Sequence, residues 1–468
     1  MKVSLLRPFP KNSVCSSVPP LGMGYIATAL LRAEIEVELL DLGNKYLQSK
    51  DFEARLEQSR PDLVGIQVYS REMEQNQQMI DRARNVLGHD VPIVAGGPHP
   101  STMPLETFEH LRGIDYVIAG EGERAMPLLA RHVAGDGAVD LADVPGLVWR
   151  ENGGFRQNTP DFPENIDAYG FPAWDVMRID GYQTEVFGGG FTQRMPAMTM
   201  LTSRGCPYKC TFCCAKSLCG SKLRLRDPKL VLEEMTILHQ RYGINEIKII
   251  DDNVNADRQH ILAIAEEFKR SALDVSVSFA CGLHLHTLDD EMLDALKQMG
   301  GYELMVAIES GSQRVLDMMK KKVRLDQVPQ KIEMIKRHGF RAISFFIIGF
   351  PGETRQEIEQ TVKLALSLPL DRAHFNCFSP LPGSQIYDDL KAAGRLGEFD
   401  IRNIHFETIN YSFVEGLSAQ QLDRIRQRAL LRFYLRPRTF FGLWRTFRNW
   451  SSVKFLLRKA MEYFRIVK

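Results

Sequence analysis

Ser203-Arg204-Gly205-Cys206-Pro207-Tyr208-Lys209-Cys210-Thr211-Phe212-Cys213 decides how the rest of the chain is read. Its three thiols stand at spacing C-x3-C-x2-C. Two thiol pairs would suit a zinc ribbon, but three thiols in one tight loop leave the fourth position of tetrahedral zinc unfilled. Three thiolates can instead bind three irons of a 4Fe–4S cluster and leave the fourth iron open. An open iron can chelate a small molecule through an amine and a carboxylate, and methionine carries both. A zinc site and three incidental thiols stay as alternatives, because short motifs produce false matches.

The remaining composition fits an intracellular metalloprotein. At 468 residues the chain has room for two or three domains. Its 44% hydrophobic and 25% charged residues are those of an ordinary globular protein, which excludes a disordered or fibrous chain. Five of the eight cysteines (Cys206, Cys210, Cys213, Cys214 and Cys219) cluster, while Cys15, Cys281 and Cys377 are scattered. That usage points to metal rather than to a secreted disulfide framework. The N-terminus lacks the apolar core and cleavage site of a signal peptide, and no run reaches transmembrane length. A reducing cytoplasm is the expectation. Net charge is +1, yet residues 421–468 hold 13 Lys/Arg against Asp423 and Glu462, a net +11 that leaves about −10 for the rest. Such asymmetry points to an anionic contact for the tail.

With an aromatic residue, Phe212, just before the third cysteine, the loop resembles that of the radical S-adenosylmethionine (SAM) enzymes. The resemblance implies that Cys206, Cys210 and Cys213 hold a 4Fe–4S cluster whose open iron binds SAM. Cys214 and Cys219 depart from the minimal motif and are read as bystanders.

Upstream, residues 1–140 alternate strands and helices. Strands are expected at Lys2–Arg7, Val37–Asp41, Leu63–Val68, Pro92–Ala95 and Tyr116–Ala119. Helices are expected from Pro20 to Leu31, around 51–60, and from about Glu72 to Leu87. The alternation predicts a parallel sheet with helices on both faces. Gly96-Gly97-Pro98-His99-Pro100 and Gly120-Glu121-Gly122-Glu123 follow the last two strands, at the carboxyl edge where such sheets bind ligands.

Together with Pro20-Leu21-Gly22 and Asp41-Leu42-Gly43, these pieces resemble the cobalamin-binding domain that precedes some radical SAM cores. The resemblance implies cobalamin contacts from Gly22, Tyr69, Ser70, Gly96, Gly97, His99, Gly120, Glu121 and Gly122. His99 can alternatively just close a turn between two prolines. Many cobalamin proteins carry Asp-x-His-x-x-Gly, whose histidine ligates cobalt from below; no such pattern occurs here. A histidine beneath cobalt is therefore not supplied in the usual way. The bland alternative is a purely structural Rossmann-like module.

Residues 141–190 read as a linker, rich in Pro and Gly, that resembles the segment joining the two domains. Residues 191–410 then repeat strand and helix six times, from the strand Ala197–Thr202 to the strand Ala373–Phe378. Six units predict an open, partial (β/α)6 version of the eight-stranded barrel, with chemistry at the carboxyl ends of its strands. Strand ends carry Asp251-Asp252-Asn253, Ile308-Glu309-Ser310, Gly349-Phe350-Pro351-Gly352-Glu353 and Ser379-Pro380. These segments resemble those of the radical SAM branch that holds methylthiotransferases and cobalamin-dependent enzymes. The resemblance implies SAM contacts from Asp252, Glu309, Ser310, Gly349, Gly352 and Pro380. Arg224 and Arg226 also match; they either bind a carboxylate or phosphate or form a solvated face. No catalytic side chain is assigned.

Residues 411–468 read as a helical basic tail, with helices from Gly416 to about Leu435 and from Ser451 to Ile466. Three readings stand: packing on its own protein, contact with membrane or a lipid substrate, and nucleic acid. The last is set aside because nothing resembles a nucleic-acid module.

The fold class is thus α/β: a Rossmann-like cobalamin-binding domain, a partial radical SAM barrel and a helical tail. The family resemblance implies a cobalamin-dependent C-methyltransferase that uses a 5′-deoxyadenosyl radical and methylcobalamin on an unactivated carbon. Its partners would be a small-molecule substrate, hydrophobic ones included, and an electron donor such as flavodoxin or ferredoxin. The alternatives are an oxidative cyclase or ring-rearranging enzyme with the same cofactors, a cobalamin-free methylthiotransferase, and an electron-transfer module. The methylthiotransferase would need a second cysteine set near the N-terminus, where only Cys15 stands.

Overall fold

The computed structural model describes residues 1–9, 18–182, 186–187, 190–397, 399–404 and 409–439. Cys15 and the expected helix Ser451–Ile466 lie outside the described residues. The chain forms two compact units. The first comprises Met1–Gln183, Thr199–Tyr242 and Ser379–Ile404. The second comprises the described residues of Thr184–Met198, Gly243–Phe378 and His405–Lys468.

A seven-stranded sheet organises the first unit. Its strands are β1 (Lys2–Arg7), β2 (Glu36–Asp41), β3 (Leu63–Gln67), β4 (Ile93–Gly96), β5 (Tyr116–Ile118), β6 (Leu147–Glu151) and β7 (Gly154–Gln157). The order is β2-β1-β3-β4-β5-β6-β7, with the first five mutually parallel. Parallel strands are buried on both faces and read as continuous apolar runs. Leu6, Val64 and Ile66 accordingly pack with Phe52, Met79 and Ile80 on one side. Leu5, Leu63 and Val94 pack with Met23, Leu30 and Leu129 on the other.

The sheet runs past residue 140. Residues 147–157, read from sequence as linker, form β6, antiparallel to β5, and β7, antiparallel to β6. Asn152 and Gly153 turn this hairpin with φ of 51° and 78°. Asn-Gly is the residue pair that a two-residue hairpin turn selects, and it is the signal a count of glycines missed.

Farther on, β8 (Val186–Phe187) pairs antiparallel with β9 (Gly190–Phe191). After β10 (Ala197–Met200), β11 (Ser203–Arg204) pairs antiparallel with β12 (Arg224–Leu225) and closes the cysteine loop. That loop and Ser379–Ile404 cluster with the N-terminal sheet, although the sequence reading placed both within 191–410.

In the second unit, β13 (Glu246–Ile249), β14 (Ser276–Leu283), β15 (Gly301–Glu309), β16 (Arg341–Ile348) and β17 (Arg372–Cys377) are parallel neighbours in sequence order. With β10 at one edge they make the expected six-stranded sheet. Side-chain oxygens fix where the intervening helices start. Asp257 accepts from the His260 amide at 2.9 Å, Asp289 from the Met292 amide at 2.8 Å, and Thr354 forms a capping box with Glu357. The two faces of β16 and β17 differ. Phe346, Ile348, Ala373 and Phe375 are buried, while Phe345, Ile347, His374 and Asn376 are partly exposed.

Helix Ala419–Tyr434 belongs to this unit and buries Leu422, Ala429 and Phe433. The Tyr434 hydroxyl donates to the Ala373 carbonyl at 3.2 Å. Arg436 donates to the Leu366 carbonyl at 2.7 Å and the Leu368 carbonyl at 3.2 Å, capping the end of helix Arg355–Ser367. The described part of the tail therefore packs as core.

Candidate functional site

The cysteine loop hangs from a two-residue ladder, Ser203 opposite Leu225 and Arg204 opposite Arg224. Gly205 has φ of +87°, and a Cβ there would stand 2.3 Å from the Lys222 carbonyl oxygen. Only glycine turns the chain at that point. Cys206 and Cys210 are partly exposed and Cys213 is exposed. The Cys213 amide donates to the Cys210 carbonyl at 3.2 Å, and the Ala215 amide reaches Cys213 Sγ at 3.5 Å. From the other side, the Ile386 amide donates to the Thr211 carbonyl at 2.9 Å, and Ser217 Oγ to the Gly383 carbonyl at 3.0 Å. Among the described residues no three such ligands converge as they would around a single ion. A cubane takes one thiolate per iron and asks its ligands to stand apart. Accessible thiols on an irregular, braced backbone fit that group.

Arg204 and Arg224 face each other across the ladder with nearly buried side chains. Like charges so placed repel. The Gly120-Glu121-Gly122-Glu123 turn supplies the counter-charge. Arg224 forks onto the Glu121 carboxylate at 2.6 and 2.8 Å. Arg204 lies 3.2 Å from Glu121 and 2.7 Å from Glu123, with its guanidinium 4.6 Å from the Tyr25 ring centroid. Burial alone would raise the Glu121 carboxyl; Arg224 and Arg204 outweigh it and hold the group below its ordinary value. Arg226 pairs with the fully buried Glu234 and, at 3.2 Å, with Asp167. The solvated-face reading of Arg224 and Arg226 is thereby corrected: both guanidinia are buried on carboxylates of their own chain. Glu121 sits in the expected turn, but its carboxylate is committed to arginines.

The other residues expected to meet cobalamin stand at the carboxyl ends of β3, β4 and β5, except Gly22, which follows β1. Tyr69 and Ser70 follow β3 and are partly exposed. Gly96 ends β4, and Gly97 has φ of +104°. Gly120 has φ of +85°, and a Cβ there would touch Pro160 at 3.0 Å. Gly22, in the first turn of helix Leu21–Arg32, has no atom within 4 Å of where a Cβ would stand, so open space lies before it. Gly122 is packed instead: its Cβ would meet Ile26 at 2.9 Å. His99 is fully buried, with Nδ1 2.9 Å from Ser70 Oγ and Nε2 3.1 Å from His110 Nδ1. Of these glycines Gly22 faces open space, while Gly97, Gly120 and Gly122 are backed by Val68, Pro160 and Ile26, and the His99 ring is buried behind Ser70.

In the second unit, the SAM-directed residues lie at strand ends. Asp252 is exposed beside the buried Asp251. Glu309 is buried at φ +70° and pairs with Lys321 at 3.4 Å. Ser310 Oγ lies 3.3 Å from Thr361 Oγ1 and accepts from the Ser312 amide at 3.2 Å. Gly349 and Gly352 have φ of +90° and +81°. The Gly349 amide, expected to face ligand, donates instead to Glu353 at 2.9 Å, as does that of Phe350 at 3.2 Å. Burial pushes Glu353 up to about 8 despite those two amides. Pro380 is buried and belongs to the first unit. Sequence reading passed over Arg204, Glu123 and Lys321, which were visible only as charged residues near motifs. It quoted Glu353 as motif end without assigning it a role.

A family model for the radical SAM superfamily matches residues 200–365, and one for the B12 binding domain matches residues 11–130. An uncharacterized methyltransferase of Pyrococcus horikoshii is 30% identical over 445 residues, 94% of this chain and 93% of that protein. The cytidylyl-2-hydroxyethylphosphonate methyltransferase of Streptomyces wedmorensis is 29% identical over 438 residues, 82% of this chain and 80% of that one. Among solved structures, the radical SAM methyltransferase TsrM of Kitasatospora setae, with cobalamin and a 4Fe–4S cluster bound, superposes with a TM-score of 0.69 at 19% identity. That match covers 84% of this chain and 78% of TsrM, and it is a likeness of fold.

Proposed function

The chain belongs to the cobalamin-binding radical SAM proteins, and from that membership we propose that it is a C-methyltransferase acting on an unactivated carbon of a small molecule. One observation carries the reading: the cysteine loop and the glycine turns of the B12-binding fold belong to one compact unit, joined through Arg204, Arg224 and Glu121.

When bound, the cluster with SAM supplies a 5′-deoxyadenosyl radical and cobalamin supplies a transferable methyl group. In the proposal, Cys206, Cys210 and Cys213 hold the cluster, and Gly205 lets the loop take its shape. Gly22 and Gly96 give close backbone approach to cobalamin, Gly97 and Gly120 turn the chain beside them at positive φ, and Tyr69 and Ser70 stand next to these turns. His99 orients Ser70. Asp252, Glu309 and Ser310 offer acceptors for the amine and hydroxyls of SAM; burial holds the Glu309 carboxyl above its ordinary value, and its ion pair with Lys321 opposes that only in part. Gly349 and Gly352 turn the loop that Glu353 braces. An electron donor such as flavodoxin or ferredoxin completes the reaction. No described helix is long and apolar enough to cross a membrane.

The test is anaerobic reconstitution with iron, sulfide, hydroxocobalamin, a reductant and SAM bearing a trideuterated methyl group. Methyl transfer yields 5′-deoxyadenosine, S-adenosylhomocysteine and a product about 17 Da heavier in extracts of the host. A product lighter by two hydrogens, with no label, would instead assign ring formation.

A further inference from the structure

We propose that Glu121 is a positioning residue that couples the cluster loop to the cobalamin turn, so that loading either cofactor tightens the binding of the other. This rests on the two-cofactor reading above. Arg204 and Arg224 are the paired residues of the ladder from which loop 205–223 hangs. Their side chains are 9% and 3% exposed, so water does little to screen one guanidinium from the other. The ladder closes with both charges in place only because Glu121 and Glu123 neutralise them. Those two carboxylates come from the turn that follows β5, and that turn has little freedom. Gly120 is held at φ +85° against Pro160, and its amide donates to Ser101 Oγ at 3.0 Å. Gly122 is packed on Ile26.

A rigid path thus runs from Gly120 through Glu121 and Arg204 to Cys206, with Arg224 extending it to the Cys219 carbonyl at 2.9 Å. Because the path is stiff, a cofactor that fixes the position of one end also fixes the position of the other and lowers the cost of placing it. Linkage makes the effect reciprocal. A merely structural role for Glu121 would weaken both cofactors without changing how each depends on the other.

The experiment is a titration of hydroxocobalamin, followed by visible absorption, into full-length protein with the cluster reconstituted and into the same protein stripped of iron by chelation. The readout is the ratio of the two dissociation constants. In wild type, the cluster-loaded form should bind roughly tenfold more tightly, within the usual span of such coupling. In Glu121→Gln the ratio should fall to near one while both cofactors still bind. If that variant does not yield folded protein, Arg224→Lys, which keeps the charge and loses the fork, and Glu123→Gln read the same ratio. An unchanged ratio in the variants, or a ratio of one in wild type that binds both cofactors, overturns the proposal. Wild type that takes up no cobalamin is a separate result: it removes the two-cofactor reading itself.

Discussion

His99 holds Ser70 through a hydrogen bond of 2.9 Å between Nδ1 and Oγ, and its other ring nitrogen is engaged by His110 at 3.1 Å. Both nitrogens are therefore occupied within the protein, and neither is offered to cobalt. Electron paramagnetic resonance of the Co(II) state of reconstituted protein should lack axial nitrogen superhyperfine splitting, in wild type and in His99→Gln alike. Splitting that vanishes only in the variant would make His99 a cobalt ligand.

Burial, with a smaller contribution from His110, pushes His99 down to about 3. The folded state thus keeps a neutral ring that the unfolded chain protonates below its ordinary value of 6.5. Its contribution to stability is full above pH 6.5, falls as pH drops toward 3, and changes no further below that. Two pH units below 6.5 the loss is about 2–3 kcal/mol. Urea midpoints of the apoprotein measured from pH 7 to 4.5 should fall more steeply for wild type than for His99→Gln.

Cluster loading tests the cysteine assignment. Replacing Cys206, Cys210 or Cys213 by Ala should remove iron and labile sulfide together, while Cys214→Ala and Cys219→Ala should keep them. Gly205→Ala should lower loading as severely as a ligand loss. Its Cβ would meet the Lys222 carbonyl, and φ of +87° strains any other residue. Full loading in Gly205→Ala would show that the loop has room to shift.

These residues mark what the sequence could and could not disclose. Most strand and helix periods were readable to within a few residues, because each element buries a face whose spacing is local, but helix Gly122–Val133 was not among them. The cysteine loop was readable because its chemistry sits in eleven consecutive residues. The partners of Arg204 were not: Glu121 and Glu123 lie some eighty residues away, and nothing in a charged residue's identity says whether it meets water or a buried carboxylate. The same holds for His99 and Ser70, which come from different loops. The hairpin at Asn152-Gly153 was readable and was overlooked because the surrounding prolines and glycines looked like linker.

Glu353 should titrate near neutrality. Burial raises it to about 8, so the folded state favours its protonated form. Its stabilising contribution is complete below the unfolded value near 4.5 and is lost as pH rises toward 8. At pH 7 the loss is on the order of 3 kcal/mol. Glu353→Gln keeps the acceptor for the Gly349 and Phe350 amides and has no charge to suppress. Its thermal midpoint should therefore gain on that of wild type between pH 5 and 8. Parallel pH profiles for the two proteins would mean that Glu353 is ionised throughout.

Up to Thr439 the tail is structural, since Phe433 is fully buried and Arg436 caps a neighbouring helix. Truncation after Gly416 should expose that apolar surface and give insoluble protein. Residues 440–468, outside the described residues, hold seven Lys/Arg against Glu462, together with Phe440, Phe441, Leu443, Trp444, Trp450 and Phe455. If they lie on an anionic surface, each well-placed basic residue contributes about 1 kcal/mol, weakened by salt, while aromatic burial persists. Truncation after Thr439 should then leave soluble protein that cleaves SAM and no longer co-sediments with vesicles containing phosphatidylserine. Full-length protein should co-sediment with those vesicles but not with neutral ones, and partly so at high salt. Equal sedimentation of full-length and 1–439 protein would assign the basic segment to something other than lipid.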